Sequence, residues 1–83
     1  MFYRVTVIDS CGEEQQHFFK DMATALYEFF FDLSSAIEEI IEKKELTPDD
    51  FGVESWEEVH KRAFNVRRLP EYVYFEELRF EDE

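Results

Sequence analysis

Three groupings of side chains have the types that chemistry needs, and their spacing decides how far each can be taken. Glu57, Glu58 and His60 contain a Glu-x-x-His spacing, which places Glu57 and His60 on one face of a helix. Carboxylate-bridged di-iron sites use that spacing twice and add two glutamates from other helices of a four-helix bundle. This chain has one copy, so the residues read as a solvated helix face. Asp49, Asp50 and Glu54 surround Gly52, but the alternating oxygen ligands and the twelfth-position glutamate of a calcium loop are missing. Capping and solvation explain them better. Cys11 and His17 offer a thiol and an imidazole with no third group to orient them and no oxyanion-forming glycine loop. They read as a turn residue and a sheet-surface residue. No phosphate-cradling glycine loop is present, so the expectation is a protein that is not an enzyme and holds no metal or cofactor.

Two charged groupings remain. Lys61, Arg62, Arg67 and Arg68 place four of the nine basic residues within eight positions, and the expectation is that they pair internally with the abundant carboxylates. The acids are more unusual. The chain has 21 Asp and Glu against 9 Lys and Arg, a formal charge of −12. Small domains are well soluble at a magnitude of about 2–8, so solubility does not require this much charge, and self-repulsion opposes compaction. The stretch from Glu38 to Glu58 carries nine acids and two bases, a net −7 over 21 residues. The acids are Glu38, Glu39, Glu42, Glu45, Asp49, Asp50, Glu54, Glu57 and Glu58, and they are the candidate partner-binding residues. On a helix, Glu38, Glu42 and Glu45 fall at steps of ~4.5–6 Å, about half the axial charge density of duplex DNA. Direct nucleic-acid binding is disfavoured by phosphate repulsion. A basic, nucleic-acid-binding protein surface is the natural complement.

These acids need a scaffold, and the pattern of apolar residues supplies one. Asp21 to Glu45 has apolar residues at Met22, Leu26, Phe29, Phe30, Leu33, Ile37, Ile40 and Ile41, the three-and-four spacing of an amphipathic helix. Asp21 is placed to cap it, while Glu28, Asp32 and the later glutamates occupy the other face. Phe31 points to the flank or to solvent. Phe2 to Asp9 alternates, with Tyr3, Val5 and Val7 on one side and Phe2, Arg4, Thr6 and Ile8 on the other, as a strand does. Ser10-Cys11-Gly12-Glu13 is turn chemistry, and Glu14 to Phe19 completes an antiparallel hairpin. Thr47 and Pro48 start a short helical turn. Ser55 and Glu58 form a capping box for a second helix over about Trp56 to Phe64, with Trp56, Val59 and Ala63 inward. Asn65 to Pro70 reads as a connection and Glu71 to Phe80 as the last strand, with Glu81-Asp82-Glu83 fraying. The expected fold is α+β in the order ββααβ, a three-stranded antiparallel sheet with one long and one short helix on one face.

Eighty-three residues make one domain, residues 1–83, near the small end of what a single core can stabilise. Ten Phe, four Tyr and one Trp compensate, because each large ring buries roughly 150–250 Å². The single Cys11 precludes an intramolecular disulfide and fits a reducing compartment. No apolar run approaches the ~18 residues of a membrane span, and MFYRVTVID lacks the pattern of a signal peptide. A cytoplasmic protein is expected. Monomer and homodimer are both open.

In size, acidity, aromatic content and the hairpin-then-helix order of Phe2 to Glu45, the chain resembles the small acidic inhibitors made by phages and mobile elements. Those include DNA-mimic anti-restriction proteins and anti-CRISPR proteins. Such families share no motif, so no site residues carry over. The resemblance implies a non-enzymatic inhibitor that binds a CRISPR effector complex or similar host enzyme and blocks DNA recognition, in the bacterial host cytoplasm if phage-encoded. The alternative is an acidic interaction module, antitoxin-like or a regulatory subunit, using an aromatic patch of Phe30, Phe31 and the strand Tyr72–Phe75.

Overall fold

The computed structural model describes residues 1–9 and 11–79. In chain order the elements are β1 (Phe2–Ile8), β2 (Glu14–Phe19), α1 (Met22–Lys43), a 3-10 turn (Pro48–Phe51), α2 (Trp56–Val66), β3 (Arg68–Leu69) and β4 (Val73–Leu78).

The hairpin forms because Asp9 organises its turn. One carboxylate oxygen accepts from the Cys11 N–H at 2.9 Å and the Glu13 N–H at 3.0 Å, an aspartate replacing backbone partners in a tight turn. Gly12 sits at φ 84°, where a side chain would be strained. Ser10, expected in this turn, lies outside the described residues. The two strands then pair from Tyr3↔Phe19 to Ile8↔Glu14.

The sheet has four antiparallel strands in the order β2-β1-β4-β3, which corrects the three-stranded expectation. Arg68 and Leu69 pair with Tyr74 and Val73 inside the stretch read as a connection, so the chain order is ββαηαββ with the 3-10 turn as η. A two-residue strand is too short to show any period, and only its partner reveals it. Arg67, at φ 64°, turns the chain out of α2 directly into β3. Glu71, at φ 73°, lies in the turn that returns it as β4. That turn also explains why β4 begins at Val73 and not at Glu71. Phe80 and the tail Glu81–Glu83 lie outside the described residues.

Both ends of α1 are set by local chemistry. The Asp21 carboxylate accepts from the Thr24 N–H and hydroxyl, each at 2.9 Å. These bonds, the backbone one foremost, hold Asp21 below the usual carboxylate range. Lys44 ends the helix in the left-handed conformation at φ 56°, a common helix stop. Ala25, Phe29, Leu33, Ile37 and Ile40 are buried, and the last four pack with Val5, Val59, Ala63, Leu69 and Val73. Phe29 is the centre, its ring 5.6 Å from Phe75 and 5.9 Å from Phe64. α2 starts at Ser55, whose hydroxyl accepts from the Glu58 N–H at 3.3 Å. It runs two residues past the expected end, with Val59 and Ala63 buried.

Val5 and Val73 point into this core, so strand alternation sends Phe2, Arg4, Thr6, Gln16, Phe18, Tyr74 and Glu76 to the opposite face. That face carries no helix. Among the described residues no helix is long and apolar enough to cross a membrane.

Candidate functional site

All nine acids from Glu38 to Glu58 are exposed, but the fold does not present them as one surface. Glu38 and Glu42 are four residues apart on the outer side of α1. Glu39, one residue on from Glu38, is rotated by about 100° around the helix and faces the hairpin turn. There it lines a groove of about 260 Å³ with Asp9, Lys43, Glu45, Glu71 and Tyr72, over Ile8 and Ile40. Lys43 Nζ lies 2.9 Å from Glu39 Oε1. This hydrogen bond, foremost, raises the Lys43 pKa, and Glu45 adds to it. The Tyr72 phenol is also pushed up, first by burial and then by Glu45, Glu71 and Glu39, since a phenolate beside three carboxylates is disfavoured. Asp9, Glu71 and Tyr72 were not legible as parts of this groove, because turns distant in sequence bring them to it.

Other acids have local work. Asp50 Oδ2 accepts from the Thr47 N–H at 2.7 Å and the Thr47 hydroxyl at 3.3 Å, closing the 3-10 turn. Glu58 borders a shallow concavity with Lys61 and Arg62, so bases share its surface. With Glu39 paired as well, Glu38, Glu42, Glu45, Asp49, Glu54 and Glu57 are left. Their carboxylates make no ion pair or hydrogen bond with another described residue. Glu38 and Glu42 sit on the C-terminal half of α1, Asp49 on the 3-10 turn, Glu45 and Glu54 in the short segments on either side of that turn, and Glu57 at the start of α2. At that last position, negative charge also suits the helix dipole.

The basic cluster is held differently from the expectation of carboxylate partners. Arg62 donates to the Phe51 carbonyl at 3.1 Å and Arg67 to the Phe64 carbonyl at 2.6 Å. The Arg67 guanidinium lies 5.1 Å from the Phe64 ring centre and 5.7 Å from that of Phe75, and Arg68 lies 5.8 Å from Tyr74. These cations serve helix ends and ring faces. His60 is occupied by Ser34 Oγ at 3.2 Å and by the edge of Phe30 at 4.4 Å between ring centres. Among the described residues no group of three His, Cys, Asp or Glu side chains is placed to hold a metal ion.

One acid behaves unlike its solvated neighbours. Asp32, on the polar side of α1, has an oxygen shielded from water with no hydrogen-bond partner among the described residues. Burial, with repulsion from Glu28 and partial relief from His17, pushes its pKa up to about 6. Helical periodicity alone assigns Asp32 to solvent. Only the packing of α1 against β2 shows otherwise.

The aromatic patch is divided as well. Phe30 and Phe31 are 51% and 60% exposed and Tyr27 joins them at 76%, forming an outer aromatic surface on the first half of α1. Tyr72–Phe75 is elsewhere. Phe75 lies against Phe29 beneath the helices, while Tyr74 faces the uncovered side of the sheet. No protein-family model, curated protein or solved structure matches this chain.

Proposed function

We propose that this protein is a cytoplasmic, non-enzymatic inhibitor of the anti-CRISPR, DNA-mimic type. It acts by occupying a basic nucleic-acid-binding surface of a host defence complex and so blocks DNA recognition. The supporting observation is the set of six exposed carboxylates that make no ion pair or hydrogen bond among the described residues: Glu38 and Glu42 on α1, Asp49 on the 3-10 turn, Glu57 on α2, and Glu45 and Glu54 in the short segments between them. The net charge of −12 gives the molecule a negative field suited to steering a basic partner and displacing its counterions, and the six carboxylates are a local part of it.

The test is capture of partners from a bacterial lysate on the immobilised protein, elution along a salt gradient, and competition with duplex DNA. Binding is expected to weaken steeply with salt, to yield to DNA, and to be lost on combined Glu38→Lys, Glu42→Lys and Glu45→Lys substitution with the fold intact. Capture that persists unchanged at ~1 M salt, where the Debye length is ~3 Å, would sink the proposal.

The exposure of Tyr27, Phe30 and Phe31 favours a second reading, an acidic interaction module that docks through this aromatic surface. Its signature is the reverse: binding that survives salt and is abolished by Phe31→Glu.

A further inference from the structure

The free edge of β2 is the most regular unpartnered surface among the described residues. β2 is the outer strand of the sheet, six residues long and containing no proline, and its pairing with β1 runs without a bulge. The opposite edge, β3, has only two residues. Protein sheets usually protect a long edge with charges, proline or bulges, because its unpaired N–H and C=O groups accept another strand. The backbone N–H of Asp9 donates to the Glu13 carbonyl at 3.0 Å, which sets the alternation along the hairpin. Gln15, His17 and Phe19 bond inward to β1, while the backbones of Glu14, Gln16 and Phe18 point outward.

We propose that β2 pairs antiparallel with β2 of a second copy, about a twofold axis at His17, to give a homodimer with a continuous eight-stranded sheet. Charge selects this register. It sets Glu14 opposite Lys20 of the second copy and the reverse, and Gln16 opposite Phe18, all on the uncovered face. The neighbouring register, centred on Gln16, leaves Glu14 opposite Phe18 and Lys20 with no acid. Centring on His17 also makes the two Phe18 rings diagonal neighbours, within reach of aromatic side chains. Phe18 is 57% exposed and touches Phe2, with ring centres 6.1 Å apart. It lines a largely apolar concavity with Met1, Phe2, Phe19 and Lys20, and the second copy would cover it. The −7 stretch lies outside this edge, whose own charges are Glu14 and Lys20 at the ends of the pairing and Asp32 and Glu28 of α1 near His17. The inference does not depend on the proposed function.

Sedimentation of the full chain at ~0.15 M salt, across a concentration series, tests it. The wild type is expected to dimerise. Gln16→Pro is expected to be monomeric with unchanged circular dichroism, because it deletes an outward N–H that β1 does not use. Lys20→Glu is expected to weaken dimerisation roughly tenfold by setting like charges opposite each other twice, and Glu14→Lys with Lys20→Glu to restore it. A wild type that stays monomeric throughout, a dimer that survives Gln16→Pro, or a charge swap that fails to rescue would each overturn the proposal. If Gln16→Pro does not fold, the charge swap alone decides.

Discussion

Arg4 of β1 holds Glu76 of β4 with a forked contact, Nη2 lying 2.8 Å from both carboxylate oxygens and Nε 3.2 Å from Oε1. The two residues are direct cross-strand neighbours and are separated by 72 positions in the chain. They therefore help fix the register of the longest-range pairing in the sheet. Both remain partly exposed, so solvent screens the attraction. Glu76→Gln is expected to cost about 0.5–1 kcal/mol, with the loss shrinking at high salt. Urea unfolding at two ionic strengths measures it.

Asp32 gives a pH dependence of definite sign. Its folded-state pKa of about 6 lies above the 3.8 of an unperturbed aspartate, so the folded state disfavours the charged form. The associated stability is present below the unfolded pKa and is lost as pH rises through about 6. Asp32→Asn is expected to stabilise at pH ~7 by about 1–2 kcal/mol, reduced from the full linkage value because the group is only half-buried. Near pH ~3.5 the gain should vanish. Thermal melts of both proteins at the two pH values check this, and an equal gain at both would refute it.

Phe29 and Phe31 lie two residues apart on α1 and differ completely in environment. Phe29 is fully buried and Phe31 is 60% exposed. Phe29→Ala is expected to cost ~3–5 kcal/mol through lost transfer energy and a residual cavity. Phe31→Ala should stay within ~0.5 kcal/mol of the wild type. Chemical denaturation of the two variants separates the core face from the outer face.

Lys44 and Arg67 both end helices with positive φ, 56° and 64°, yet glycine should act oppositely at the two sites. Lys44→Gly relieves a backbone conformation that side chains disfavour, and is expected to raise stability by about 0.5–1 kcal/mol. Arg67→Gly gains the same relief but loses the bond to the Phe64 carbonyl and the contact with two rings. It should destabilise. Paired thermal melts test the contrast.

The parts of this protein legible in its sequence are those whose causes lie within a few residues. The alternation of Tyr3, Val5 and Val7, the Phe29, Leu33, Ile37 and Ile40 part of the α1 stripe, and the caps at Asp21, Thr47–Asp50 and Ser55 all have local physical origins, whereas Met22, Phe30 and Ile41 of the expected stripe are exposed. The accumulation of acids from Glu38 to Glu58 is likewise a property of composition. Tertiary structure decided the rest. β3 exists only because β4 lies beside it, and two residues carry no period of their own. Glu39 turns away from Glu38 and Glu42 to join Asp9 and Glu71 around Tyr72, because pairing of β1 with β4 brings two distant turns to one end of α1. Asp32, polar by type and by helical phase, loses access to water only where the sheet packs against its helix. Periodicity reports which face a residue occupies. Burial, pairing and field depend on what the rest of the chain places against that face.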